Sequence, residues 1–174
     1  YHGMKQYDAD IAQCNYANVT DDRFRIHKDI QSNSNNVITG KQALLELYSE
    51  PSVYASVTYT VVWNKLYKRR LISDLSFPEG RMYEDQFFTY RCFERAKKVC
   101  ILSEKLYSYR ESGSSITRRG YTIHFQDEII AHDQQIQYFK EKDFDFASVV
   151  IARIQPLCVM HYTISEFEDN KRAK

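Results

Sequence analysis

The chain has 174 residues, enough for one ordinary domain that buries about 70% of its unfolded surface. Apolar residues make up 43% and charged residues 27%, a balance that excludes a disordered chain. With 24 basic and 23 acidic residues the net charge is +1, which lacks the basic excess of a general nucleic-acid binder.

Met4 to Tyr7 reads as a helix end, and Asp10 to Tyr16 alternates loosely, as a strand does. Asn18 to Asn36 is polar and closes on a Ser/Asn cluster, the composition of a loop. Thr39 is placed to cap a short helix whose Ala43, Leu44, Leu47 and Tyr48 share one stripe, and Pro51 ends it. Val53 to Val62 is dense in β-branched and aromatic residues and is expected to be extended at least in part. Trp63 to Tyr67 leads into the basic cluster Lys68-Arg69-Arg70, and Pro78-Glu79-Gly80 marks a turn before a helix starting near Glu84. On that helix Phe88, Cys92 and Ala96 recur as a core-facing row, with Glu94, Arg95 and Lys97 outward. Val99 to Leu102 and Leu106 to Tyr109 read as two strands joined by a tight polar link, before a Ser/Gly loop from Glu111 to Ser115. The rest reads as a helical hairpin. Phe125, Ile129, His132, Ile136 and Phe139 form one stripe. Phe146, Val150, Ile154, Leu157, His161 and Ile164 form the other, with the link at Lys142-Asp143 and a kink at Pro156. Mixed elements without an internal repeat point to the α/β or α+β class with a helical appendage.

The longest apolar stretch, Phe146 to Ala152 with Ser148 inside it, falls far short of the roughly 20 residues that span a bilayer. No signal peptide is visible. Cys14, Cys92, Cys100 and Cys158 are widely spread and form no CxxC pair, which speaks for reduced, mostly buried thiols over a zinc site or a disulfide framework. Glycine clusters, an HExxH helix and a nucleophile elbow are absent. The chain opens on Tyr1-His2-Gly3 and is read as cut from a longer protein or as a processed product.

Glu84 and Asp85 stand at an expected helix start, where the dipole and free N–H groups keep a carboxylate ionised, as a general base requires. A routine helix cap uses the same residue type at the same place. Trp63, the only tryptophan, is a packing anchor or a platform for a sugar ring. Arg110, beside the Ser/Gly loop, suits either a bidentate phosphate contact or a surface ion pair. His132 and His161 lie inside apolar stripes and read as partly buried, hydrogen-bonded side chains rather than metal ligands.

Four segments, taken in order and spacing, carry a resemblance. They are Trp63-Asn64-Lys65-Leu66-Tyr67-Lys68-Arg69, Phe77-Pro78-Glu79-Gly80, Tyr83-Glu84-Asp85-Gln86-Phe87-Phe88, and Leu106-Tyr107-Ser108-Tyr109-Arg110 with Ser114-Ser115-Ile116-Thr117. Together they resemble the acceptor-side, C-terminal part of family-2 glycosyltransferases of the bacterial polysaccharide-building type. Ala9 to Tyr16 is similar to the strand that follows their metal-binding segment. The resemblance implies an α/β fold, with a partial GT-A (Rossmann-like) half over residues 1–118 and a helical hairpin over residues 119–174. It implies inverting transfer of a sugar from a nucleotide-diphosphate donor to a hydroxyl of a glycan or lipid-linked acceptor. The setting it implies is capsule or exopolysaccharide synthesis in the cytoplasm, at the inner face of the membrane.

In that family's terms Asp85 is the catalytic base and Glu84 positions the acceptor or the base. Trp63, Asn64 and Lys65 line the acceptor side, Tyr109 and Arg110 bind substrate, and Arg110 with the following loop approaches the diphosphate. The complete enzyme is expected to use a divalent cation, Mg or Mn, held by an Asp-x-Asp motif. Asp8-Ala9-Asp10 and Asp143-Phe144-Asp145 both stand in the wrong place for it, so this chain is expected to hold no metal or cofactor and to be inactive alone. The hairpin is expected to dock on the catalytic part or to pair two copies, ahead of lying on a membrane surface. The rival reading is a non-enzymatic glycan- or protein-binding module descended from a transferase half.

Overall fold

The computed structural model describes residues 1–19, 35–48, 53–110, 125–154 and 158. At its centre lie four strands, β1 (Ile11–Val19), β2 (Asn36–Ile38), β3 (Lys65–Tyr67) and β4 (Val99–Arg110), in the order β2-β4-β1-β3. β1 and β4 run parallel from Ile11↔Val99 to Val19↔Arg110, and each edge strand is antiparallel to its neighbour. The helices are α1 (His2–Tyr7), α2 (Gly40–Tyr48), α3 (Val53–Thr60), α4 (Arg69–Ile72), α5 (Glu84–Arg95), α6 (Phe125–Phe139) and α7 (residues 146–154). This is the mixed α/β class expected from the sequence.

Several expectations are corrected. β4 is one strand rather than two. Its register against β1 slips between Gln13↔Ile101 and Asn15↔Lys105. The polar Ser103-Glu104 link therefore bulges out of the ladder instead of turning the chain. The Asn15 side-chain amide closes the bulge by donating to the Ser103 carbonyl at 3.1 Å. Val53 to Thr60 is helical, not extended. Local β preference loses there to packing, because α3 lies against both α2 and α5. β2 is a strand the sequence reading did not anticipate. Residues 20–34 of the expected loop lie outside the described residues, as do Pro51, Glu111 to Ser115, Pro156, Leu157, His161 and Ile164.

Other expectations hold. Thr39 Oγ1 accepts the Gln42 N–H at 3.1 Å while Gln42 Oε1 accepts the Thr39 N–H at 2.8 Å, a reciprocal cap that starts α2. The stripe Ala43, Leu44, Leu47 and Tyr48 is buried, as are Phe88 and Cys92 on α5 and Ala96 at its C-terminal cap. Gly40 lets these helices meet, since a Cβ there would lie 2.1 Å from the Phe93 carbonyl oxygen and 2.3 Å from that of Ala96.

The helical hairpin shares this core. Phe139 and Val149 are fully buried in the same cluster as Ile11, Leu44, Phe93 and Val99. Each such side chain contributes about 1.5–3 kcal/mol by leaving water. The inward face of α7 carries Val149 and Arg153, whereas Ile154 is 48% exposed, so the expected stripe is out of phase. The shift has a polar cause: Arg153 Nε donates to the buried Gln135 of α6 at 2.9 Å.

Candidate active site

Two backbone features aim the start of α5. Gly80 takes φ 70°, which turns the chain after Pro78. Tyr83 takes φ 59° and ψ 38° immediately before the helix. A left-handed conformation costs a side-chain-bearing residue about 1–2 kcal/mol, so the surroundings must hold it there. Glu84 and Asp85 then occupy the first turn. Glu84 is exposed and Asp85 half-buried. Asp85 Oδ1 accepts the Gln86 N–H at 2.9 Å, a donor it shares with the Tyr83 carbonyl at 2.9 Å, so the carboxylate remains partly open.

Burial pushes the Asp85 carboxyl up to about 6, and the Glu84 charge adds to it, against the pull of the Gln86 N–H and Lys65. Lys65 is 7% exposed, and its Nζ donates to the carbonyls of Thr58 at 2.8 Å and Val61, and to Asn64 Oδ1 at 2.8 Å. Burial lowers its ammonium to about 7, with the Asp85 charge opposing. The two groups thus titrate close to one another, near neutral pH, and each charge favours the other.

Asn64 is buried too. Its side-chain amide donates to the carbonyls of Cys14 and Thr58, both at 3.0 Å. Asn64 and Lys65 therefore tie the end of α3 to β1, spending their polar groups on backbone carbonyls. The sequence placed both on the acceptor side, and no local signal separates that role from this architectural one.

Trp63 builds a second feature. Its ring stacks on Tyr107 (centroids 4.3 Å, interplanar 25°) and Tyr109 (5.5 Å, 27°), and meets Tyr16 edge-on at 5.0 Å. Tyr107 and Tyr109 alternate along β4, so they share one face of the sheet. That spacing of two residues is the sequence signal that sets Tyr107 beside Tyr109. A cavity of about 190 Å³ opens here, lined by Trp63, Asn64, Lys65, Leu66, Leu106 and Tyr107 among others. Asp85 does not line it; Lys65 is the residue common to the cavity and to the carboxylate's electrostatics. Arg110 ends β4, opposite Val19 and exposed.

A divalent cation does not fit the Asp8-Ala9-Asp10 pair, whose carboxylates are spent on cations and a backbone donor. Asp8 pairs with Lys68 at 2.7 Å. Asp10 is 2% exposed, pairs with Lys68 and Arg70, and accepts the Lys97 N–H at 2.8 Å. Burial pushes Asp10 upward, but those donors more than offset it and hold the carboxyl below its usual range. Among the described residues no three His, Cys, Asp or Glu side chains gather as a metal site. The cysteines are free, and Cys92 and Cys100 are buried. His132 is 1% exposed, but neither ring nitrogen finds a hydrogen-bond partner, contrary to expectation. No helix among the described residues is long and apolar enough to cross a membrane.

No family model matches the chain. Its sequence is 32% identical over 120 residues to the glycosyltransferase GlyA of Streptococcus pneumoniae, covering 68% of this chain and 17% of that protein. It is 33% identical over 120 residues to the glycosyltransferase EpsJ of Bacillus subtilis, covering 67% of this chain and 34% of that protein. The chain thus spans only a minor part of the curated relatives it matches. Among solved structures, S. aureus TarS residues 1–349 in complex with UDP-GlcNAc superposes with a TM-score of 0.55 at 16% identity, covering 90% of this chain and 42% of that one. The chain is a relative of glycosyltransferases and shares the fold of part of one.

Proposed function

We propose that this chain is the acceptor-side part of a family-2, GT-A-type transferase, and that Asp85 is the base of an inverting sugar transfer. The observation that carries the reading is the Asp85 carboxylate itself, half-buried at the tip of α5 and raised to about 6. A base poised just below neutral pH is ionised in the cell yet retains affinity for a proton. The acceptor hydroxyl gives its proton to the Asp85 carboxylate as its oxygen attacks the anomeric carbon. The bond from that carbon to the nucleoside diphosphate breaks on the opposite face, and the diphosphate leaves with the electron pair. Glu84 keeps the base strong through its adjacent charge.

Trp63 and its stacked tyrosines offer the flat surface against which a sugar ring packs. Lys65 and Asn64 fix the segment that carries Trp63, and Arg110 at the end of β4 is directed to the diphosphate. The donor-binding part, with any cation, belongs to the length of the relatives that this chain does not span. A nucleotide-sugar donor is supported by the UDP-GlcNAc bound to TarS. Cell-surface polysaccharide assembly at the inner membrane face is the proposed setting. A donor screen by nucleotide release, run on the complete protein with acceptor, tests the reading. Release from one nucleotide sugar supports it, whereas glycan binding without release from any donor favours the non-enzymatic module.

A further inference from the structure

Helix α6 touches the segment that bears Asp85 on both sides of it. Upstream, Asp127 Oδ1 accepts from Arg81 Nη1 at 2.9 Å and Asp127 Oδ2 accepts the Met82 N–H at 3.1 Å. Downstream, the Gln135 amide nitrogen donates to the Gln86 carbonyl at 2.8 Å and to Gln86 Oε1 at 3.2 Å. Between these tethers lie the left-handed Tyr83, then Glu84 and Asp85. Gln135 is 1% exposed, so its bonds are shielded from water, while Asp127 keeps 13% of its side chain exposed and its partner Arg81 40%.

Gln135 is itself held. Its Oε1 accepts the Tyr48 hydroxyl at 3.0 Å and Arg153 Nε at 2.9 Å, which ties the tether to α2 and α7. A strained residue persists only where its surroundings over-determine it, and two tethers from one helix, the Gln135 one fixed in the buried interior, do so here.

We propose that α6 is the positioning element of the catalytic carboxylate, with Asp127 and Gln135 as positioning residues that clamp the turn from Met82 to Gln86. The hairpin thereby becomes a working part of the transferase. This rests on Asp85 being the base. Loss of either tether lets Tyr83 relax and the first turn of α5 fray, so the carboxylate is free to move and to take up water. A displacement of about 1 Å is enough to cost a hundredfold in a reaction that depends on alignment.

The test uses Asp127→Ala, Asp127→Asn and Gln135→Met, with folding of each checked by its amide spectrum. In this chain, amide exchange of residues 83–86 and the ¹³C titration of the Asp85 carboxyl are read. In the complete transferase, kcat and donor KM are read. Expected are faster exchange in residues 83–86, confined there for the Asp127 variants, and a downward movement of the Asp85 midpoint. The expected kinetic effect is a kcat lowered about tenfold to a hundredfold at unchanged donor KM, with Asp127→Asn restoring most of each loss because it keeps an acceptor for Met82. Folded Asp127→Ala and Gln135→Met proteins with wild-type exchange and titration would overturn the clamp. If those two readouts change while Asp85→Asn leaves turnover intact, the base assignment fails and the clamp stands as structure.

Discussion

Lys65 and Asp85 each lie in surroundings that favour the neutral form, and the charge of each sustains the charge of the other. Burial is the main cause on both sides. The Asp85 carboxyl, raised from 3.8 to about 6, is expected to show a ¹³C titration midpoint near that value. Below that midpoint it holds a proton and accepts none, so kcat/KM of the complete enzyme rises with pH through about 6 and then levels. The stability sign is opposite. A carboxyl with a raised folded pKa contributes fully below the unfolded value, and the contribution is lost as pH rises through about 6. Lys65→Met, which removes the attracting cation, moves the midpoint higher. A midpoint near 4 in the wild type would show an ordinary surface aspartate.

His132 gives a second pH signature. Burial, assisted by the Arg153 charge, lowers its imidazole from 6.5 to about 3. The unfolded chain therefore binds a proton that the folded one refuses, and stability falls as pH drops below 6.5. His132→Leu removes that loss and two unpartnered ring nitrogens. In urea unfolding the variant gains about 2 kcal/mol on the wild type as pH falls from 7 to about 5. Parallel pH curves for the two proteins would contradict the burial.

Gly40→Ala tests the contact between α2 and α5. The added methyl meets two backbone carbonyl oxygens, which cannot swing aside as a side chain does. A loss of about 3 kcal/mol is expected, read as a lowered urea midpoint at unchanged slope.

Trp63→Ala separates a platform from a packing anchor. Loss of a stacking surface is expected to raise the acceptor KM about tenfold while leaving donor KM alone, and Trp63→Phe recovers most of it. Equal damage to both substrates, with a lower melting temperature, would mark Trp63 as packing alone.

The sequence showed this architecture wherever the cause was local. The Thr39 cap, the stripe through Ala43 and Leu47, the row Phe88 and Cys92, and the carboxylates opening α5 all depend on neighbours a turn or two away. What stayed hidden depends on distant partners. α3 is helical because α2 and α5 enclose it and because Lys65 and Asn64, beyond its end, satisfy its carbonyls. The bulge in β4 needs Asn15 of another strand. Gln135 and Arg153 lie outside the apolar stripes read from the sequence, yet they face inward, where Arg153 Nε donates to Gln135 Oε1. At the candidate site, Asp85 and Trp63 were legible as residue types in place, whereas the burial that shifts Asp85 was not.

Asp85→Asn in the complete transferase tests the central claim most directly, because the amide keeps the shape and the acceptor oxygen but has negligible affinity for a proton. Transfer is expected to fall about a hundredfold to ten-thousandfold while the nucleotide-sugar dissociation constant stays near wild type. Turnover close to wild type would show that the acceptor's proton goes elsewhere.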